Sequence, residues 1–599
     1  MSETLPQVLL NTVKNYPKPD FMMFKKGGRY IPISTEEFGQ HVKSFCLGLK
    51  ELGLVRGDKI ILLSENRPEW VISDLANLCL GANTVPIYCS LVPEQVKYII
   101  DDSDAKAVIV SAKEQWEKIE AIKGTLSKVR HFITFMEEAP QGALSFSQVQ
   151  QLGQKLAAKD PGLFERLALE VKPDDEASII YTSGTTGMPK GVILTHSNFL
   201  SNIKAVSTLL EFSDKDTVLS FLPLSHVLER MVTFTYISKG CSIGYAESIE
   251  TIAANLREIR PHIMVNVPRV LEKFYARVTD TVLSGSSLKK RIFFWALKVG
   301  KEYGRKKLNK EPIPKGLERK RNLAHKLVFS KIVERTGGRV RFFVSGGAPL
   351  SKDIAEFFYA LGLVVLEGYG LTETSPVISV NTFDDLKFGT VGKPIPGVEV
   401  MIAPDGEILT RGPHVMKGYY KKEEETKEAF EGGWFHTGDI GHLDEDGFLV
   451  ITDRKKDIIV TAGGKNIAPQ PVENMLKTSP YIENAVVIGD RRRFVCALIV
   501  PNFEKLEEYA RFSHIFFKDR SELVKNDKVT NFIKAEVDRA TPNLASYEKI
   551  KRIALLDRDF EIEKGELTPS LKVKRNIVEK KYCGLIDALY GEERNNSKT

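Results

Sequence analysis

The chain has 599 residues, 42% apolar and 27% charged, a length that excludes a single hydrophobic core and a composition ordinary for a soluble globular protein. Its net charge of +7 is local: 17 Lys/Arg face 4 Asp/Glu between Lys289 and Arg339, which leaves the remainder at −6 and excludes a uniformly basic chain. The six cysteines, at 46, 79, 89, 241, 496 and 583, show no C-x-x-C spacing and no disulfide framework, so reduced cytosolic thiols are expected.

The first residues, "MSETLPQVLLNTVKNY", lack a basic region followed by an apolar core, and no run of 18 uncharged apolar residues follows. No signal peptide or spanning helix is therefore expected, and the location predicted is cytoplasmic, peripheral at most on the inner face of a membrane. Residues 40 to 115 alternate helical and extended patterns. "HVKSFCLGLKELGL" is amphipathic and ends at Gly53, "DKIILLSE" is extended, "PEWVISDLANLCLGA" is helical, and "NTVPIY" and "AKAVIVSA" are extended again. This alternation predicts α/β layering on largely parallel strands. The rhythm returns at 216–268 and at 338–366. From about 385 to 452, short strands broken by Gly, Pro and Asp predict a β-rich subdomain. After "DRKKD" the α/β pattern resumes, which sets a boundary at Arg454–Asp457. The tail "GEERNNSKT" is polar and expected to fray.

Four segments carry chemistry. "YTSGTTGMPKGVILTH" (Tyr181 to His196) places a polar loop between two β-prone runs. Gly184 and Gly187 allow positive φ and close approach to a ligand. Thr182, Ser183, Thr185 and Thr186 supply hydroxyls and Lys190 a cation, so the loop reads as an anion nest with phosphate as its natural guest. It is not a Walker A loop, because Met188 and Pro189 follow Gly187. In "LEGYGLTETSP" (Leu366 to Pro376), Gly368 and Gly370 flank Tyr369, whose ring offers a base a stacking surface or packs in the turn. Thr372 and Glu373 offer a phosphate donor and a hard oxygen ligand for Mg²⁺. In "WFHTGDIGHLDEDGFLVITDRKKDIIVTAGGKNIAPQPVE" (Trp434 to Glu473), Asp439 and Arg454 are the types that grip ribose hydroxyls. "GELTPSLKVKRNIVEKKY" (Gly565 to Tyr582) puts Lys572, Lys574 and Arg575 after a Pro-containing turn, where a basic run is also commonly a solvated face.

Together, and in this order, the four segments resemble the acyl-adenylate-forming superfamily of AMP-binding enzymes over roughly residues 25 to 585. "FLPLSHVLERM", "VPRVLEKFY", "VSGGAPL" and "GELTPSLKVKR" are similar to its long-chain fatty acid–CoA ligase branch. The resemblance implies an α/β fold: a large N-terminal domain of layered α/β/α sheets (residues 1–455, with 385–455 β-rich) and a small mobile α+β C-terminal domain (456–599). It implies ATP-dependent conversion of a fatty acid to acyl-AMP, then transfer to coenzyme A. Transfer to a carrier protein is the alternative acceptor, and a non-catalytic nucleotide-binding, membrane-associated protein the alternative class.

The implied roles are as follows. Thr182 to Gly187 and Lys190 hold the β- and γ-phosphates. Gly346, Gly347 and Ala348, with Glu367, Gly368, Tyr369 and Gly370, form the adenine pocket and part of the acyl pocket. Thr372 touches the α-phosphate. Thr182 and Glu373 bind Mg²⁺, and Asp439 and Arg454 hold the ribose. Lys572 contacts the α-phosphate and acyl carboxylate, and His226 borders that carboxylate. Lys456 is the hinge, and Gly463 and Gly464 line the coenzyme A channel. Two departures stand out. Leu571 precedes the lysine where many relatives have Gly, which leaves Lys574 as a second candidate. Val460 stands where some relatives have a lysine.

The basic stretch 288–310 shows Leu288, Ile292, Trp295, Val299 and Tyr303 at helical spacing, ringed by Lys289, Lys290, Lys298, Lys301 and Arg305. This predicts either a helix lying on an anionic membrane or one docked on the domain by that stripe. Nucleic acid is not an expected partner, and relatives suggest a homodimer.

Overall fold

The structure is a computed structural model and describes residues 3–182, 188–248, 250–561, 564–568 and 572–591. Ser183, Gly184, Thr185, Thr186, Gly187 and Leu571 lie outside the described residues.

Two large sheets dominate the N-terminal part. The first has nine strands; its inner members, in order across the sheet, are Val364–Gly370, Phe342–Ser345, Ile263–Asn266, Thr217–Ser220, Ser242–Tyr245 and Met22–Lys26, and they run parallel. The second has eight strands, parallel from Glu176–Thr182 to Leu144–Ser145, with Asn83–Ile87, Lys59–Leu63, Ala107–Val110 and His131–Thr134 between. The strands alternate with helices as the sequence pattern predicts, and their near-continuous apolar runs are buried on both faces. Residues 399–454 form an antiparallel five-stranded sheet. Beyond it, Ile482–Ile488, Cys496–Pro501 and Arg552–Leu555 form a three-stranded sheet with a separate apolar core around Val486, Leu498, Leu506 and Ile533.

Helices His196–Leu209 and Val227–Ser238 pack together, with the Phe199 and Phe234 rings edge-on at 5.5 Å. Arg230 on the second helix is 0% exposed. Its Nε and Nη2 reach the Asp74 carboxylate at 2.8 and 2.6 Å, and Nη1 donates to the Ser178 hydroxyl. This fastens the helix to Pro68–Cys79 and to a strand of the second sheet.

The C-terminal part meets the N-terminal part along helix Pro268–Leu283. Arg269 Nη2 lies 3.0 Å from Glu483 and 3.7 Å from Asp559, and Lys505 Nζ lies 3.3 Å from Asp280.

One sequence expectation is corrected. The buried side of helix Ser287–Leu308 is Phe293, Ala296, Val299, Gly300 and Gly304, while Leu288 is 66% exposed. Of the stripe read from hydropathy only Val299 is buried, Ile292, Trp295 and Tyr303 being half-buried, and the closest approach to the domain is made at Gly300 and Gly304.

Candidate active site

The site is assembled at the carboxyl ends of the parallel strands, where α/β sheets bind ligands. Strand Phe342–Ser345 runs into Gly346, whose N–H donates to the Asn266 carbonyl at 3.1 Å. Gly347 has φ +80°, and both Gly347 and Ala348 are exposed. Strand Val364–Gly370 ends where only glycine fits: a Cβ at Gly370 would lie 1.7 Å from the Pro376 carbonyl oxygen. Gly368 tolerates more, its nearest neighbours being 3.5 Å away. Glu367 is 6% exposed, and burial pushes its carboxyl up to about 8 against the Leu350 N–H it accepts.

Tyr369 turns its hydroxyl to Asp439, donating to Oδ2 at 2.7 Å. Asp439 and Arg454 are register partners on adjacent antiparallel strands, with Arg454 Nε 3.1 Å from Asp439 Oδ1. Asp439 is 5% exposed and also takes its backbone position from Thr437, whose hydroxyl accepts the Asp439 N–H at 3.1 Å. The ring, the carboxylate and the guanidinium thus form one edge.

Thr372–Thr374 form a short 3₁₀ turn beyond Gly370. Glu373 Oε1 accepts from the Tyr419 hydroxyl at 3.0 Å, and burial raises its carboxyl above the usual range. Tyr419 pairs with Val192 beside the loop hairpin, and Lys190 Nζ stands 5.1 Å over its ring. Thr182 and Lys190 face each other at the base of that hairpin, the Thr182 hydroxyl donating to the Lys190 carbonyl at 3.5 Å. Tyr419 therefore joins the two loops. The sequence reading missed it because "KGYYK" carries neither periodicity nor a motif.

A Mg²⁺ ion fits this corner. Glu373 is a hard carboxylate and Thr182 adds a hydroxyl. Mg²⁺ is commonly held by one or two carboxylates with substrate phosphates completing its shell. Among the described residues no cluster of three or more His, Cys, Asp or Glu forms a protein-only metal cage.

Lys572 arrives from the C-terminal part. Its residue is exposed, yet enough protein lies around its ammonium to disfavour the charge. That surrounding mass, with the Arg454 charge, pushes its ammonium down to about 8, opposed by Asp439. Lys574 instead begins helix Arg575–Lys581 and is lowered by burial alone. Lys572, unlike Lys574, is thus within electrostatic reach of Asp439 and Arg454.

His226 caps helix Val227–Ser238: its Nδ1 accepts the Leu228 N–H at 3.1 Å. Burial and Lys572 hold it down to about 4, so the ring is neutral at pH 7 and its proton sits on Nε2. Lys456 lies in an exposed turn between strands Leu449–Arg454 and Ile459–Val460. Beside it Asp453, 2% exposed, accepts the Gln470 N–H at 3.0 Å and is raised by burial to about 6. Gly463 and Gly464 form an exposed turn, Gly464 with φ +73°, tied to Arg492 through the Ala462 N–H. Among the described residues that turn shares no hydrogen bond or ion pair with the Lys572 cluster. A separate surface groove of about 580 Å³, bordered by Leu200, Lys204 and Pro413, includes none of these residues.

This fold and site define an adenylate-forming enzyme. The AMP-binding enzyme model matches residues 10–420 and the AMP-binding enzyme C-terminal domain model residues 456–594, and the chain belongs to this family. It is 36% identical over 587 residues to the long-chain-fatty-acid–CoA ligase FadD15 of Mycobacterium bovis, covering 96% of this chain and 95% of that one. It is 32% identical to the long-chain-fatty-acid–CoA ligase ACSBG2 of Xenopus laevis, covering 98% and 84%. Among solved structures it resembles the anthranilate CoA ligase AuaEII in complex with anthranoyl-AMP (TM-score 0.74, 20% identity, 97% and 99% covered). It also resembles a Mycobacterium tuberculosis fatty acyl CoA synthetase (TM-score 0.62, 21% identity, 97% and 99% covered). At those identities the likeness speaks to the fold.

Proposed function

We propose that the chain activates a long-chain fatty acid with ATP to acyl-AMP and then transfers the acyl group to coenzyme A, releasing AMP. The observation that carries this reading is the Tyr369–Asp439–Arg454 cluster, with Lys572 from the C-terminal part within its electrostatic reach.

A carboxylic acid has a reference pKa near ~4, so the substrate is ionised at neutral pH and needs no general base. The obstacle is repulsion between the carboxylate and the polyphosphate. It is met by charge placed in advance at the α-phosphate. Lys572 supplies a cation there, and neutral His226 offers an Nε2–H donor without a second positive charge. Tyr369 presents its ring face to the adenine, and Asp439 with Arg454 fixes the ribose. Thr182 and Lys190 hold the outer phosphates at the hairpin, and Thr372 donates to the α-phosphate. When bound at Thr182 and Glu373, Mg²⁺ neutralises phosphate charge.

In this reading residues 1–455 are the adenylate-forming unit and 456–599 a unit that turns about Lys456 between the two half-reactions. Rotation withdraws Lys572 and delivers Gly463 and Gly464 to the thiol's path. Lys456→Pro, which locks φ in the exposed turn, is expected to retain adenylation and abolish thioester formation. Thioester production at the wild-type rate by that variant would contradict the rotation.

The function is tested by a panel of fatty acids of increasing length with ATP, magnesium and free coenzyme A, scoring AMP and thioester separately. Release of AMP without thioester would favour a carrier-protein acceptor. Failure to release AMP with any acid would overturn the proposal. Long acyl chains reside in bilayers, so the reading includes a peripheral membrane seat for residues 288–310.

A further inference from the structure

Residues 64–67 leave the carboxyl end of strand Lys59–Leu63 in the second sheet and lead into helix Pro68–Cys79. The neighbours of Asn66 are both pinned. Glu65 accepts from the Ser111 hydroxyl and, at 2.9 Å, from Gln115 Nε2. Arg67 donates from Nε and Nη2 to the Glu69 carboxylate, each at 2.8 Å. Asn66, between them, reaches to the first sheet. Its Nδ2 donates to the Leu222 carbonyl at 2.5 Å, and its Oδ1 accepts the Leu224 N–H at 2.9 Å. The same Nδ2 lies 3.4 Å from the Ser220 hydroxyl, which donates to Glu229 Oε1 at 2.5 Å. Glu229 is 2% exposed and burial pushes its carboxyl up to about 8, so at pH 7 this chain of bonds ends on a neutral group.

These partners stand on both sides of His226. Residues 221–225 are the loop between strand Thr217–Ser220 and the helix that His226 caps, and Glu229 lies in the first turn of that helix. The loop is closed on itself by the His226 N–H, which donates to the Pro223 carbonyl at 2.8 Å. Among the described residues, Asn66 supplies the only side-chain hydrogen bonds to the main chain of residues 221–225. A carboxamide is suited to this, because it meets a carbonyl with its donor and an N–H with its acceptor at once. Loop groups outside a ladder need such partners to hold one conformation. Among the described residues, Asn66 forms no hydrogen bond with Tyr369, Glu373, Asp439, Arg454 or Lys190. Its influence on the site therefore passes through the loop.

We propose that Asn66 is a positioning residue for adenylation: it clamps the 221–225 loop and so fixes where the Nε2–H of His226 points. The proposal rests on the ligase reading for the part His226 plays, and adds to it a residue from the other sheet.

Two measurements test it. The first uses no substrate: amide hydrogen exchange of the full chain in the wild type, Asn66→Ala and Asn66→Asp. Loss of one such bond is expected to speed exchange of the Leu224 amide by about tenfold in Asn66→Ala, while the amides of helix Pro68–Cys79 keep their wild-type rates. Asn66→Asp keeps the acceptor but sets a carboxylate oxygen against the Leu222 carbonyl, so it should fall between the two and serves in place of Asn66→Ala should that variant not fold. The second is fatty-acid-dependent ATP–pyrophosphate exchange. A displacement on the order of 1 Å at a reacting group costs about 10²-fold, so kcat is expected to fall by about that factor in Asn66→Ala. The KM for ATP should stay within about threefold, because the nucleotide is held elsewhere. In a His226→Ala background the same change should cost less than about threefold more, since the two residues act as one unit. A residue that only held the fold would lower both backgrounds alike. Equal losses in the two backgrounds would overturn the proposal, as would wild-type exchange at Leu224 or a KM for ATP that rises while kcat holds. Failure of the wild type to release AMP would strike the ligase reading, and hydrogen exchange would still decide whether the clamp exists.

Discussion

Lys572→Ala is expected to slow formation of acyl-AMP by roughly 10²–10³-fold, the usual loss when one donor to developing charge is removed. Thiolysis of preformed acyl-AMP should stay within a few-fold of wild type. The difference arises because the two half-reactions ask for different neighbours at one phosphorus. In the first, two anions must approach, and in the proposed reading the Lys572 ammonium, within electrostatic reach of Asp439 and Arg454, offsets their charge. In the second a thiol attacks an anhydride and the crowding of negative charge is relieved. The measurement is fatty-acid-dependent ATP–pyrophosphate exchange against thioester formation from synthetic acyl-AMP; an equal loss in both would remove Lys572 from its role. The acidity of the group adds a second signature. Partial desolvation by the surrounding protein and the Arg454 charge set Lys572 at about 8 in the free enzyme, so the ammonium is present below that pH and is lost as pH rises through it. The kcat/KM for adenylation should therefore fall above about pH 8, and this limb should be missing in Lys572→Ala. A bound polyphosphate favours the charged form, so the limb in kcat should lie at higher pH.

The sequence made some parts of this site legible and hid others, for physical reasons. Gly370 could be read because its demand is local: the chain returns at Pro376 with no room for a Cβ. Asp439 and Arg454 could be read as a pair of types, and their contact follows from hairpin register. The alternation of strands and helices was legible because a parallel strand buried on both faces leaves a continuous apolar run. The nearness of Lys572 to Arg454 came only from the family resemblance and not from the residues themselves, since it depends on how one part of the chain sits on another through Arg269, Glu483 and Asp559. Tyr419 was missed for the same reason, its partners Glu373 and Lys190 being distant in sequence. The docked side of helix Ser287–Leu308 was misread because hydropathy weights size. The contact is made by Gly300 and Gly304, which are silent on such a scale yet allow the nearest approach.

Arg230→Ala is expected to destabilise the N-terminal part by about 3–5 kcal/mol, the cost of leaving one member of a buried ion pair without its partner. Asp74, with 0% exposure, would be stripped of the two donors now at 2.8 and 2.6 Å, and the Ser178 hydroxyl would lose its guanidinium. The cavity would be walled by Trp70, Phe199 and Phe234, whose rings stand 5.9, 5.4 and 5.6 Å from the Arg230 guanidinium carbon, so collapse could not restore a polar contact. The damage should travel to the site, because the same helix begins at His226, whose ring orientation depends on capping the Leu228 N–H. Adenylation should thus fall in Arg230→Ala even where the protein remains folded. A buried pair can often be exchanged for apolar residues of like volume at little cost. Arg230→Met with Asp74→Leu should therefore recover most of the stability that Arg230→Ala loses. Urea midpoints of the single and double variants decide the matter. A single variant within 1 kcal/mol of wild type, or a double variant no better than the single, would mean that Asp74 is satisfied by other means and that the two sheets are held together without this pair.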